Sequence, residues 1–197
     1  MIPWLLLPLL LPAPERTYLA SVETRSVHQL YGEYARGQGL EGADARLSCK
    51  LLADPLTLCL KVEEEGKRRY VSQGDLQRWE LTDVRARELA AGAVEDNPWQ
   101  QVPIDGGGHY HQVKADPNRA SAALLHPEWL STLGPNPVVA VPARGVVVGW
   151  SAGDPELDKI MAVAVRRMYD ELPEPLSPVA LSWTDKGWRT WGQAKAR

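Results

Sequence analysis

The 197-residue sequence contains no phenylalanine, only two cysteines and only three methionines. Isoleucine and asparagine are as scarce as methionine, and the positive charge leans on arginine rather than lysine. Scarcity of Phe, Ile, Asn and Lys together reads as a GC-rich coding bias rather than selection on any one side chain. Eight Trp and six Tyr make up the whole aromatic share, so the tryptophans are expected first as packing residues. An excess of positive charge is also missing. The formal net charge is −3 and the 22 basic residues are scattered, so nothing attracts a phosphate backbone and nucleic-acid binding is disfavoured. The one basic run, Lys67-Arg68-Arg69, follows Glu63-Glu64-Glu65 and reads as a solvated hairpin turn with local ion pairs.

Two cysteines without a C-x-x-C spacing exclude a zinc ribbon. If Leu47, Cys49 and Leu51 share a face with Leu56, Leu58 and Leu60, Cys49 stands opposite Leu58 and Cys59 points away; both thiols are then expected to be reduced. Residues 1–14, MIPWLLLPLLLPAP, form an apolar leader too short to span a bilayer. The leader has no Lys or Arg and four prolines, and its cleavage site would be poor. The expected location is therefore cytoplasmic. The alternative is export with residues 1–14 as a signal-like segment, and a peripheral membrane association through the same residues remains open.

From Glu15 onward no linker, repeat or low-complexity stretch divides the chain, and residues 15–197 read as one domain. A helix is expected from Ser21 to Arg36, with Val22, Val27, Leu30, Tyr31 and Tyr34 as its apolar stripe. Ala45–Leu52, Pro55–Glu63 and Arg69–Val71 form a three-strand meander. A short helical turn at Gly74–Trp79 and a Thr82-capped helix follow, the latter pointing Val84, Leu89, Ala93 and Val94 inward. Strands around Gln100–Ile104 and His109–Lys114 flank a Gly106-Gly107-Gly108 tip, and Arg119–Leu133 is helical in two pieces around Pro127. Val138–Trp150 is apolar on both faces and reads as two central antiparallel strands turning at Pro142-Ala143-Arg144-Gly145. The Asp154-capped helix after it carries Leu157, Ile160, Met161, Ala164, Val165, Met168, Tyr169 and Leu172 on its apolar face. Val179–Trp183 and Trp188–Trp191 close the chain as a hairpin with Trp183 beside Trp188. The expected class is α+β, a mostly antiparallel sheet built from hairpins with helices packed on one face.

Four segments together resemble the C-terminal part of the YtpQ-like bacterial proteins, a family of unknown function. They are VVAVPARGVVVGW (138–150), the preceding ASAALLHPEWL (120–130), the helix after residue 154, and PLSPVALSWTDKGW (175–188). Tyr70–Ala90 is also similar, so about two thirds of the chain takes part. Where that family leads one to expect an acidic residue after the arginine, this chain has Gly145. The resemblance implies a single α+β domain and supplies no catalytic residue, cofactor or substrate.

His109-x-His111 is the only pair with ligand spacing, since i and i+2 on a strand share a face; Asp105, Asp116 and His126 are the further candidates for a metal. Gly106-Gly107-Gly108 lacks the Lys-Ser/Thr of a phosphate loop, and no nucleophile elbow surrounds Ser121 to join it with His126 and Asp116. Arg144, at a hairpin tip, could grip a carboxylate or phosphate or simply keep the hairpin soluble. Trp183, Trp188 and Trp191 could make a platform for a sugar or peptide, and Trp191, alone on the opposite face, is the one whose exposure is in question. The expected function is thus a non-catalytic binding or interaction domain, with an unknown protein or small-molecule partner and no cofactor. The alternatives are a metal-assisted hydrolase using His109 and His111, and an exported, envelope-associated structural protein.

Overall fold

A computed structural model describes residues 15–94, 96–104 and 108–191, and the fold is α+β. The apolar leader and Asp105, Gly106 and Gly107 of the glycine tip lie outside the described residues.

The antiparallel strands divide between two sheets. In the first, β1 (Arg16–Thr24) pairs with the long β3 (Leu56–Glu64). The other edge of β3 is shared by β2 (Cys49–Ala53) along its first half and β4 (Lys67–Tyr70) along its second. The second sheet holds six strands in the order β10-β9-β7-β8-β6-β5. These are β5 (Trp99–Pro103), β6 (His109–Val113), β7 (Pro137–Ala143), β8 (Val146–Ser151), β9 (Ala180–Thr184) and β10 (Gly187–Thr190). The Val-rich β7 and β8 sit in the middle of this sheet, as their two-faced apolar pattern requires.

Three apolar cores follow from this layout. The central one joins the inner faces of both sheets, through Ala20, Val22, Leu58 and Leu60 of the first and Val139, Val141, Val147 and Leu181 of the second. Between them lie α2 (Gln73–Arg78), α3 (Asp83–Ala91) and two turns of 3-10 helix, Ala120–Leu125 and Pro127–Leu133. The second core lies on the outer face of the six-stranded sheet, where α4 (Pro155–Glu171) sets Met161 and Val165 on Val138, Ala140, Val148 and Trp150. The third and smallest puts Val27 of α1 (Ser26–Gly37) with Leu47 and Cys59 on the outer face of the first sheet.

Four expectations change. Residues 21–24 belong to a strand and the helix begins at Ser26. Ser21 and Glu23 are as buried as their apolar neighbours, so the alternation that marks a half-exposed strand is absent. In α3 the inward residues are Ala86 and Ala90, while Val84 and Leu89 face solvent; the small side chains let the helix close on β1. In α4, Ile160 is exposed whereas Leu157 and Met168 join the core with Met161 and Val165.

The cysteines provide the fourth. An irregularity between Leu51 and Ala53 moves the β2–β3 register by one residue, so Cys49 faces Cys59 and Leu51 turns to solvent. Their Cα atoms are 4.0 Å apart and the two are joined in a disulfide rather than reduced. The native protein is therefore expected to react with no thiol reagent until it is reduced. Replacing both cysteines by serine should lower stability by about 2–3 kcal/mol in a denaturant titration, because the short loop is no longer closed in the unfolded chain.

Candidate functional site

The amphipathic stripe of α1 does not lie flat on the sheet beneath it. Val27, Leu30, Tyr31 and Tyr34 recur at helical spacing, yet Leu30 is 63% and Tyr34 59% exposed. Opposite them stand Leu40 and Asp44 of the following loop, Arg69 and Tyr70 of β4, the N-cap Ser72 of α2, and Asp75 and Arg78 within that helix. The space between is a cleft of about 600 Å³, apolar and aromatic along α1 and polar at the α2 end.

The polar end is built by a capping box. Ser72 Oγ accepts from Asp75 N at 3.0 Å, and Asp75 Oδ2 accepts from Ser72 N at 2.9 Å. The same carboxylate accepts from Arg69 Nη1 at 2.6 Å and, through Oδ1, from Arg78 Nη2 at 2.8 Å. Burial alone would raise the Asp75 carboxyl, but these donors outweigh it and hold it below the usual aspartate range. Arg78 also pairs with Asp44, whose carbonyl accepts from Tyr31 Oη at 3.1 Å. The lining thus offers three tyrosines and two arginines already matched by carboxylates, a surface suited to holding a ligand. No histidine or cysteine lines it, and the acceptor beside Ser72 Oγ is Asp75 Oδ2 at 3.1 Å, a carboxylate already held by Arg69 and Arg78.

A second, smaller cleft shares Arg69 and Tyr70 with the first and reaches across the outer edge of β1 to the β7–β8 turn. Three of its lining residues, Ser21, Lys61 and Arg144, converge on Glu23, which is almost fully buried. Oε1 of Glu23 accepts from Ser21 Oγ at 2.7 Å, Lys61 Nζ at 3.0 Å and Arg144 Nη1 at 3.1 Å, and Oε2 accepts from Arg144 Nη2 at 2.8 Å. Burial would raise the Glu23 carboxyl, but the Lys61 charge and the Ser21 hydrogen bond hold it below the usual glutamate value. Tyr70, beside it, has its phenol pushed up to about 12 by burial and then by the Glu23 charge. Arg144 is therefore no solvated tip: its planar fork holds a carboxylate, and that carboxylate belongs to the chain itself. The turn aims it there because Gly145 adopts φ +75°, and a Cβ at that position would lie 2.8 Å from Cα of Pro117. An acidic residue does not fit at position 145.

The other candidates from sequence lie apart from these clefts. Trp183 and Trp188 are paired in register with ring centroids 5.3 Å apart, and Trp188 Nε1 donates to Leu124 O at 3.3 Å from within the central core. Trp191 stands edge-on to Trp150 at 5.8 Å over the outer core, so the most exposed of the three is Trp183, at 38%, rather than Trp191. Trp183 and Trp191 line a shallow groove with Arg189 and Asp158; no continuous three-ring platform forms.

His109 and His111 share a face of β6 with ring centroids 5.3 Å apart. His111 is buried, and both burial and the His109 charge lower its pKa. Among the described residues no group of three or more His, Cys, Asp or Glu gathers to hold a metal. His126 is stacked on Trp129 and bonded to Glu128 and the Ala91 carbonyl, and Asp116 is bonded to Asn118. Ser121 Oγ accepts from Val22 N at 3.1 Å, so Ser121, His126 and Asp116 do not assemble.

Sequence reasoning missed Glu23, Lys61, Tyr31, Tyr34 and Asp75 as site residues. The signals present were the Ser72-x-x-Asp75 capping pattern and the α1 stripe, which reads as core-facing unless the helix is known to stand off the sheet. Compared with protein-family models, curated proteins and solved structures, the chain matches none of them.

Glu23 and Asp75 both have carboxyls lower in the folded chain than their ordinary values of 4.5 and 3.8. The unfolded chain takes up their protons first on acidification, so their stabilisation is complete above about pH 5 and is lost as pH falls through the folded pKa values. Glu23→Gln should cost about 3 kcal/mol at neutral pH by leaving Lys61 and Arg144 facing an uncharged amide. The same variant should flatten the fall in stability below pH 5, read from denaturation midpoints across pH.

Proposed function

We propose that the protein is a non-catalytic binding domain that seats the apolar or aromatic part of a small organic ligand in the cleft beneath α1. The observation that supports this reading is the apolar face of α1, left open over about 600 Å³ and ending in a polar, hydrogen-bonded corner at Asp75. Clefts of this size with apolar walls and a few fixed polar groups are where small molecules bind. Membership of the YtpQ-like proteins is part of the same proposal and adds no ligand to it.

The disulfide favours the exported alternative over the cytoplasmic one, because such bonds persist in oxidising compartments. The apolar leader is consistent with that route. No described helix is long and apolar enough to cross a membrane.

Phenylnaphthylamine, an uncharged aromatic fluorophore, should bind the purified protein saturably. Leu30→Ala with Tyr34→Ala should weaken that binding about ten-fold, the worth of the apolar contact removed. Because both side chains are largely exposed, the double variant should keep its denaturation midpoint within about 0.5 kcal/mol of wild type. Absence of saturable binding, or binding indifferent to the two substitutions, would sink the reading.

A further inference from the structure

Strand pairing places Leu19 opposite Lys61 and Lys61 opposite Tyr70, so these three share the outer face of the first sheet with Ser21 and Arg68. α1 covers only the Cys59 end of that face. The Lys61 end is roofed instead by Arg144 from the β7–β8 turn and by Pro117 and Asn118, which leaves a cleft of about 250 Å³. Four of the nine residues that line it are cationic: Lys61, Arg68, Arg69 and Arg144.

Their charges are unevenly matched. Arg69 is held by Asp75, and Arg68 by Glu63 at the rim. Lys61 and Arg144 share the single buried carboxylate of Glu23, so the inner part of the cleft carries one positive charge in excess. Glu174 lies 3.4 Å from Arg144 Nε but is 64% exposed, where water screens its charge. Arg144 Nε is itself buried and makes no hydrogen bond among the described residues. Lys61 has further N–H donors beyond the one spent on Glu23, and its ammonium stands 4.6 Å over the Tyr70 ring at the cleft wall.

We propose that this cleft is a seat for a small oxyanion, the carboxylate or phosphate group of a ligand, with Lys61, Arg68 and Arg144 Nε as its donors. One net positive charge suits a singly charged anion, and a desolvated cationic corner strengthens such charge-assisted bonds. The volume admits an anionic group with a few attached atoms and excludes a large ligand. Glu23 positions the site without contacting the anion: it fixes the Arg144 fork so that Nε faces away from the carboxylate it binds. None of the three donors lines the larger cleft, so failure of either reading leaves the other standing.

The test is a titration of the isotope-labelled full chain with inorganic phosphate and, separately, acetate, at constant ionic strength made up with chloride. The Nε–H resonance of Arg144 and the amides of Leu19, Tyr70 and Asn118 should shift saturably with one dissociation constant. Whichever anion binds more tightly names the source of the oxyanion. Arg68→Ala, at a rim position where folding is not at risk, should weaken binding about five-fold. Glu174→Gln, which removes the competing exposed carboxylate, should tighten it about two-fold. Shifts that grow linearly, that chloride reproduces, that centre elsewhere, or that ignore both substitutions would overturn the proposal.

Discussion

The Glu23 carboxylate, buried and gripped from two directions, is the constraint on which the arrangement of the two sheets depends. Lys61 reaches it from the neighbouring strand, while Arg144 reaches it from the other sheet, 121 residues further along the chain. Burying that carboxylate is costly and Arg144 supplies two of the donors that offset the cost, so the first sheet is destabilised there whenever the β7–β8 turn undocks. The contact is directional as well as strong, because a bidentate guanidinium fixes both distance and plane. The central apolar core holds the sheets together without specifying how they are turned; the Glu23–Arg144 pair adds that specification.

Both clefts are consequences of the same geometry. β1 is the outer edge of its sheet, and the Arg144 side chain crosses that edge instead of a strand pairing with it. On the outer face α1 packs through Val27 and, at its margin, Tyr31 against Cys59 and Leu47, beside the disulfide. Leu30 and Tyr34 of the same stripe are left exposed and line an opening, with Tyr31 at its inner margin. Asp75, which lines the larger cleft, and Glu23, which is bonded to three residues of the smaller, are each saturated by donors from the chain. That saturation removes them as general bases and leaves donors as the chemistry on offer.

Much of the fold was legible from local pattern. The paired valine strands, the Asp154 and Thr82 caps, the split at Pro127 and the Trp183–Trp188 register each rest on short-range signals that tertiary packing reinforces. The misread helices share a cause, which is that polar residues are buried or apolar ones are not. Ser21 and Glu23 hid a strand by looking like the solvent side of a helix, and Val84 and Leu89 advertised the wrong face of α3. The cysteine pairing turned on a single irregular residue in β2, and a one-residue shift inverts every side chain of a strand. Arg144 was visible as an anion grip, but its partner lies too far away in sequence for any pattern to name. The two clefts were thus recognisable only in three dimensions.

The absence of phenylalanine has a structural consequence beyond codon usage. Tryptophan fills a large apolar slot as phenylalanine would, but it brings an N–H that is costly to bury without an acceptor. Trp150, fully buried at the end of β8, donates to Asp158 Oδ1 at 2.9 Å, and Asp158 Oδ2 also accepts from Gly153 N. One indole therefore ties α4, the strand and the intervening loop together, which an apolar ring could not do. Trp188 does the same between the last hairpin and the first 3-10 turn through Leu124. Trp99 is buried without a partner for its Nε1 among the described residues, and Gly149 is the residue that makes room for its ring; a Cβ there would lie 3.1 Å from the indole and 2.6 Å from Leu133. A core that relies on tryptophan is held by hydrogen bonds at fixed points as well as by area, and this gives the outer helix and the closing hairpin their defined seats on a sheet whose own inner residues are mostly featureless valine and alanine.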